Sequence, residues 1–118
     1  MSDQAVSIHP YFKIKHGQEA SFRKICDKLM AKTSMEEGCI NYGFSFSGTT
    51  AFCRETYVNA KAAMQHLENV GELVTEALHF ADLDKLEIHG TEEQLDILKE
   101  AVAPYHPVLF TLEKGFRN

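Results

Sequence analysis

Between residues 38 and 66 the order of residue types leaves few folds open. Gly38 closes a helical pattern, and in the run that follows Ile40, Tyr42, Phe44 and Phe46 alternate with Cys39, Asn41, Gly43, Ser45 and Ser47. A period of two is that of a strand with two different faces. Ser47-Gly48-Thr49 supplies turn chemistry, and residues 50–58 run back as a second β-rich segment, so an antiparallel hairpin is predicted. Asn59 then offers a side chain that accepts from free helix amides. It predicts a helix over about 60–68 that carries Ala62, Ala63, Met64, Gln65 and His66.

The flanking segments extend this pattern. Val6, Ile8, Phe12 and Ile14 alternate with Ser7, His9, Tyr11 and Lys13, which predicts a first strand. Pro10 within it removes a ladder donor and predicts a bulge or an unpaired position. Phe22, Ile25, Cys26, Leu29 and Met30 share one helical face, and Gly38 is expected to end that helix in a left-handed conformation. After Gly71 a separate helical piece is predicted from Leu73, Val74, Ala77, Leu78 and Ala81, and Leu86 and Ile88 mark a fourth strand that stops at Gly90. Strand, helix, strand, strand, helix, strand is the order of a ferredoxin-like unit. Thr91-Glu92-Glu93-Gln94 matches a capping box and opens a further helix with Leu95, Leu98 and Val102 inward. Pro104 and Pro107 bracket its exit, before a fifth strand at Val108–Leu112. The 118 residues therefore read as a single α+β domain: a ferredoxin-like antiparallel sheet at 5–90 with helices on one face, and a C-terminal helix and strand at 91–118 that join the same sheet or reach to a partner subunit.

Charge and composition narrow the function classes. A formal charge of −5 with no basic run leaves no electrostatic footprint for nucleic acid. No apolar run approaches the ~20 residues that span a bilayer, and Met1-Ser2-Asp3-Gln4 lacks signal-peptide character, so a cytoplasmic protein without membrane partners is expected. Cys26, Cys39 and Cys53 form no Cys-x-x-Cys pair, and buried reduced thiols are predicted. No metal-ligand spacing occurs: His9 and His89 fall on equivalent alternate positions of two strands, but a third ligand is lacking.

A sheet with helices on one face has a second face to cover. In the hairpin both alternating sets contain apolar residues: Tyr42, Phe44, Phe46 and Phe52 are expected on one, and Cys39, Gly43, Ala51, Cys53 and Tyr57 on the other. At roughly 25 cal/mol per Å² of apolar area, an uncovered face forgoes several kcal/mol, so a homodimer that pairs two such faces is expected.

The Gly38–Tyr42 strand, the Glu55-Thr56-Tyr57-Val58-Asn59 strand end and the helix with Ala62 and His66 resemble the antibiotic biosynthesis monooxygenase (ABM) family of dimeric α+β-barrel proteins, over residues 5 to 90. The resemblance implies a two-subunit barrel with a pocket in each half between sheet and helices. It also implies a cofactor-free monooxygenase that acts on a small electron-rich aromatic of quinol or anthrone type. His66 matches the family's histidine and is the candidate general base, since an imidazole exchanges protons near neutral pH. Glu55 is the family's recurrent acid, and a salt bridge with Arg54 is the competing structural reading. Tyr42 and Tyr57 are candidate hydrogen-bond donors to a substrate oxygen, and Phe44 and His9 complete the candidate substrate contacts. A haem-degrading activity on the same barrel is expected to need a tryptophan, and the sequence has none. A non-catalytic homodimer that binds a small ligand or a partner protein remains the alternative.

Overall fold

The computed structural model describes residues 3–118. Alternation at the N-terminus becomes β1 (Val6–Ile14), and the helical face that follows becomes α1 (Glu19–Thr33). The hairpin is β2 (Cys39–Ser47) and β3 (Thr50–Tyr57), closed at Gly48, whose φ of 59° suits a residue without a Cβ. Then come α2 (Ala60–Ala77), β4 (Ala81–Gly90), α3 (Glu92–Val102), a single 3-10 turn (Ala103–Tyr105) and β5 (Val108–Thr111). The sheet order is β2-β3-β1-β4-β5. The first four strands are antiparallel to their neighbours, and β5 adds parallel to β4 at the edge. This is the predicted α+β, ferredoxin-like architecture, and the C-terminal helix and strand extend the chain's own sheet.

Asn59 and Thr91 cap their helices as the sequence implies, but the return half of the capping box does not form, because the Gln94 side chain is taken by another helix. The Asn59 side chain accepts from the Ala62 amide at 2.9 Å, and Thr91 accepts from Gln94 at 3.4 Å. The Gln94 side chain in turn accepts from the Ala60 amide at 2.8 Å, so the third helix caps the second. Two apolar clusters fill the space between helices and sheet. One gathers Val6, Ile8, Tyr57, Ala63, Ile88, Leu95 and Leu98; the other gathers Phe12, Phe22, Ile25, Leu29, Ala51 and Val70.

Four local expectations are corrected. The two helical pieces are one continuous α2 that runs through Gly71. Burial of Val70 and Ala77 on either side of that glycine outweighs its helix cost of about 1 kcal/mol. Ala81 is the first residue of β4, not the end of a helix. Gly38 does not adopt the left-handed conformation: α1 ends earlier, at Thr33, and the positive-φ glycines are Gly17 and Gly48. Its requirement is steric, because a Cβ there would lie 2.5 Å from the Ala62 Cβ. Met30 is 44% exposed although it shares the helical spacing of the buried face.

The register also redistributes the hairpin. Tyr42, Phe44 and Phe46 stand opposite Glu55, Cys53 and Ala51, so all six lie under the helices. Phe52 points to the other face, where Ser45 stands opposite it. There its ring meets those of Tyr11, at 4.8 Å between centroids, and His9, at 5.9 Å. His9 meets His89, and His89 stacks on Phe110 at 4.6 Å. The face without helices thus carries a row of rings, while Arg54, Lys13 and Glu87 surround it.

Pro10 has the predicted effect on its ladders. The β1–β3 pairing passes from Ile8↔Glu55 to Tyr11↔Phe52 with no paired positions between, and the β1–β4 register shifts at Tyr11/Phe12.

Candidate active site

β3 alternation puts Glu55 and Tyr57 on the same side, under α2, and leaves Arg54 outside. Glu55 is 5% exposed and Tyr57 fully buried. The Tyr57 hydroxyl donates to Glu55 Oε1 at 2.6 Å. From α2, His66 comes down on this pair, 3% exposed, with Nε2 3.4 Å from Glu55 Oε1. The expected Arg54 partner is thereby replaced by His66, because adjacent strand residues face opposite ways.

The other imidazole nitrogen has a different acid. Glu36, in the loop between α1 and β2, takes His66 Nδ1 at 2.9 Å through Oε2, and Asn69 Nδ2 donates to that same oxygen at 2.8 Å. A carboxylate offers only acceptors, so Nδ1 carries the hydrogen and Nε2 keeps its lone pair. The polar chain therefore runs Asn69, Glu36, His66, Glu55, Tyr57.

Burial sets the proton affinities. Desolvation pushes Glu55 up to about 7, against hydrogen bonds from Tyr57 and Cys53 that favour its charged form. Desolvation also lowers His66 below the usual imidazole range, partly offset by Glu36. With the carboxyl moved up and the imidazole moved down, the two shifts favour a protonated Glu55 beside a neutral His66. Tyr42 and Tyr57 are both pushed far up by burial and stay phenolic. The thiols are raised too, Cys26 to about 12 and Cys39 to about 11, with desolvation the main cause, so neither offers a thiolate.

Glu55 and His66 open onto a cleft between α2 and the sheet. Tyr42 and Phe44 line it on the β2 side, Ile8 and Pro10 form part of its floor, and Val74 and Leu78 continue its roof along α2. It encloses about 80 Å³. At roughly 10–15 Å³ per water on that measure, there is space for about six waters or one small ring system.

Of the candidates named from the sequence, His66, Glu55, Tyr42 and Phe44 converge on this cleft. Tyr57 belongs to the constellation as the donor that holds Glu55 but does not line the cleft. His9 is not brought in: it lies on the opposite face of the sheet, bonded to Ser7 at 2.8 Å and packed against Phe52 and His89. The correction follows from alternation, since Ile8 and Pro10 take the inward positions on either side of it. Glu36 and Asn69 were not found from the sequence. Asn69 had a readable signal, one turn after His66 on the same helical face, whereas an acid in a loop has none.

The sequence matches no protein-family model and no curated protein. Solved structures do match. MupZ from Pseudomonas fluorescens superposes with a TM-score of 0.95 at 39% identity, over all of this chain and 92% of that one. Proteins from Nitrosomonas europaea and Caulobacter crescentus, provisionally named antibiotic biosynthesis monooxygenases, match at TM-scores of 0.69 and 0.64. Their identities are 16% and 18%; the matches cover 78% and 73% of this chain, and 94% and 86% of theirs. Fold and site define a small α+β protein with an acid–base pair buried beneath one helix. The chain belongs to one family with MupZ, to which it is similar over its whole length, and it shares its fold with the structures provisionally named antibiotic biosynthesis monooxygenases.

Proposed function

We propose that this chain is a cofactor-independent monooxygenase for a small electron-rich aromatic, with the His66–Glu55 pair as its proton-transfer group. The observation that carries the reading is an ionisable carboxyl and an imidazole, both buried, at 3.4 Å beside an apolar cleft. Such burial is costly for a fold, and ionisable groups perturbed in this way beside a cleft cluster at functional sites. In this mechanism His66 Nε2 removes a proton from the phenolic or benzylic position of the substrate. Glu36, bound at Nδ1, stabilises the imidazolium that forms. The resulting carbanion or phenolate passes an electron to dioxygen, and recombination forms the new carbon–oxygen bond. For an anthrone-type methylene the balance closes without an external reductant. The methylene carbon loses both hydrogens and gains one oxygen atom as a carbonyl, and the second oxygen atom of dioxygen leaves with those hydrogens as water. Protonated Glu55 and the Tyr42 hydroxyl are the donors for the oxyanion that develops, and the apolar walls exclude water.

The test is oxygen uptake by purified protein with menadiol or anthrone, compared with the His66→Ala variant. Uptake above the buffer rate that His66→Ala abolishes is the expected result. Uptake no faster than buffer refutes the oxygenase, and product formed equally without oxygen reassigns the pair to non-oxidative proton transfer.

The assembly belongs to the same proposal. The row of rings from Tyr11 to Phe110 is left open by the chain's own C-terminal segment, since β5 extends the sheet edge and does not fold across the face. A second copy of this chain is the partner that the family resemblance implies for it.

A further inference from the structure

The cleft is chemically lopsided. Strand register places Tyr42, Glu55, Ile8 and Ile88 in one row across the sheet; beyond it Phe44 pairs with Cys53 and Pro10 with Leu86, on either side of the missing β1–β3 rung. Apart from Tyr105 at the rim, the ionisable and hydrogen-bonding side chains of the lining are on the β2–β3 side, where His66 descends. The β4 side is aliphatic: Leu83, Leu86 and Ile88 from the strand, and Val102 from the end of α3. Tyr105, 40% exposed, stands at its rim.

Val102 and Tyr105 come from the C-terminal addition. Val6–Gly90, the four-stranded core, is 85 of 118 residues, or about 72% of the chain. The family structures below 25% identity that are cited above cover 73–78% of the chain, close to the share of a core alone, whereas the match to MupZ covers all of it. α3 is fastened to the core by Leu95 and Leu98, both buried, and by the Gln94 bond to the start of α2. The added segment therefore forms a fixed far wall to a cleft whose reacting groups are supplied entirely by the core.

We propose that this wall selects the substrate: an electron-rich ring that fills the cleft with its hydroxyl at Glu55 and His66, and that carries an unbranched alkyl chain which passes Leu86 and Val102 and leaves through the open rim, where Tyr105 is the specificity-determining residue. The proposal rests on the acid–base reading for the position of the hydroxyl. Gly71 fits the same geometry. It lines the roof between the two ends, and a Cβ built on it meets nothing within 4 Å, so the helix leaves the passage open at that point.

The test is calorimetric binding of 4-methyl-, 4-butyl- and 4-hexylphenol, read without turnover. At ~0.8 kcal/mol per buried methylene, affinity rises about fourfold for each carbon that reaches the wall. Tyr105→Ala, at an exposed rim position, weakens 4-hexylphenol about tenfold and leaves 4-methylphenol unchanged. Val102→Phe, which fills the far end, removes the chain-length dependence. Affinity that is flat across the series, no binding by any member, or equal losses for short and long phenols in Tyr105→Ala overturns the proposal. Chain-length-dependent binding without oxygen uptake refutes only the oxygenase reading; uptake with flat binding refutes only this one.

Discussion

Replacement of Glu55 by glutamine should make the protein more stable while it removes the reacting carboxyl. In the folded chain Glu55 titrates at about 7, against 4.5 for a free glutamate. Because the folded-state value is raised, the native state holds a proton that the unfolded state has released, and stability falls as pH rises from about 4.5 to about 7. At 1.36 kcal/mol per pH unit, charged Glu55 costs roughly 3 kcal/mol above pH 7. His66 acts in the opposite direction. Its value is lowered by burial, so it destabilises the fold as pH drops below about 6.5, where the unfolded imidazole charges. Glutamine keeps the acceptor for Tyr57 and removes the charge. Glu55→Gln is therefore expected to equal the parent near pH 4.5, to exceed it by about 3 kcal/mol at pH 8, and to retain the loss of stability on acidification that His66 causes. Urea denaturation at about pH 4.5, 6 and 8 with protein concentration held fixed measures this, since any association adds its own term. A variant less stable at pH 8, or a difference that does not change with pH, refutes the argument.

Gly38→Ala brings a Cβ against Ala62 and is expected to cost about 1–3 kcal/mol, again by denaturation; an unchanged midpoint shows that the loop gives way. Glu36→Gln removes the charge that raises His66 and is expected to shift its imidazole titration further down in a histidine NMR titration, with a fall in turnover of about 10–100-fold. An imidazole titration that stays in place or moves up refutes the Glu36 role. Phe52→Lys places a cation in the middle of the row of rings and is expected to leave a monomer in sedimentation, against the dimer proposed for the parent. A parent that sediments as a monomer at micromolar concentration removes the basis for that expectation.

Most of the fold was legible because each element carried its own period: 2 in β1 and β2, 3.6 in α1, and capping side chains at Asn59 and Thr91. The errors arose where tertiary burial overrode local signals. Gly71 reads as a stop, yet the residues around it are buried against the sheet and carry the helix through. Gly38 reads as a left-handed cap, yet it is a point of close approach to α2, which no local pattern encodes. The site was half legible. His66 and Glu55 could be named because they match the histidine and the recurrent acid of the family that the chain resembles, and the side on which Tyr57 joins Glu55 follows from β alternation. Glu36 approaches His66 from 30 positions away by loop geometry alone. The face of Phe52 depended on the hairpin register, and a shift of one residue exchanges the two sides of a strand.

Pro10 has a consequence for motion. A central strand is ordinarily the best tied part of a sheet, its amides the last to exchange with solvent. Here a rung is missing between β1 and β3 beside the Ile8–Glu55 pair, and the opposite ladder slips one position further on. The middle of the sheet is therefore loosest directly beneath the carboxyl that must gain and lose a proton. Deuterium should enter the Cys53 amide, which faces β1, well before those of Ala51 and Tyr57, so that the floor yields locally while its margins stay rigid.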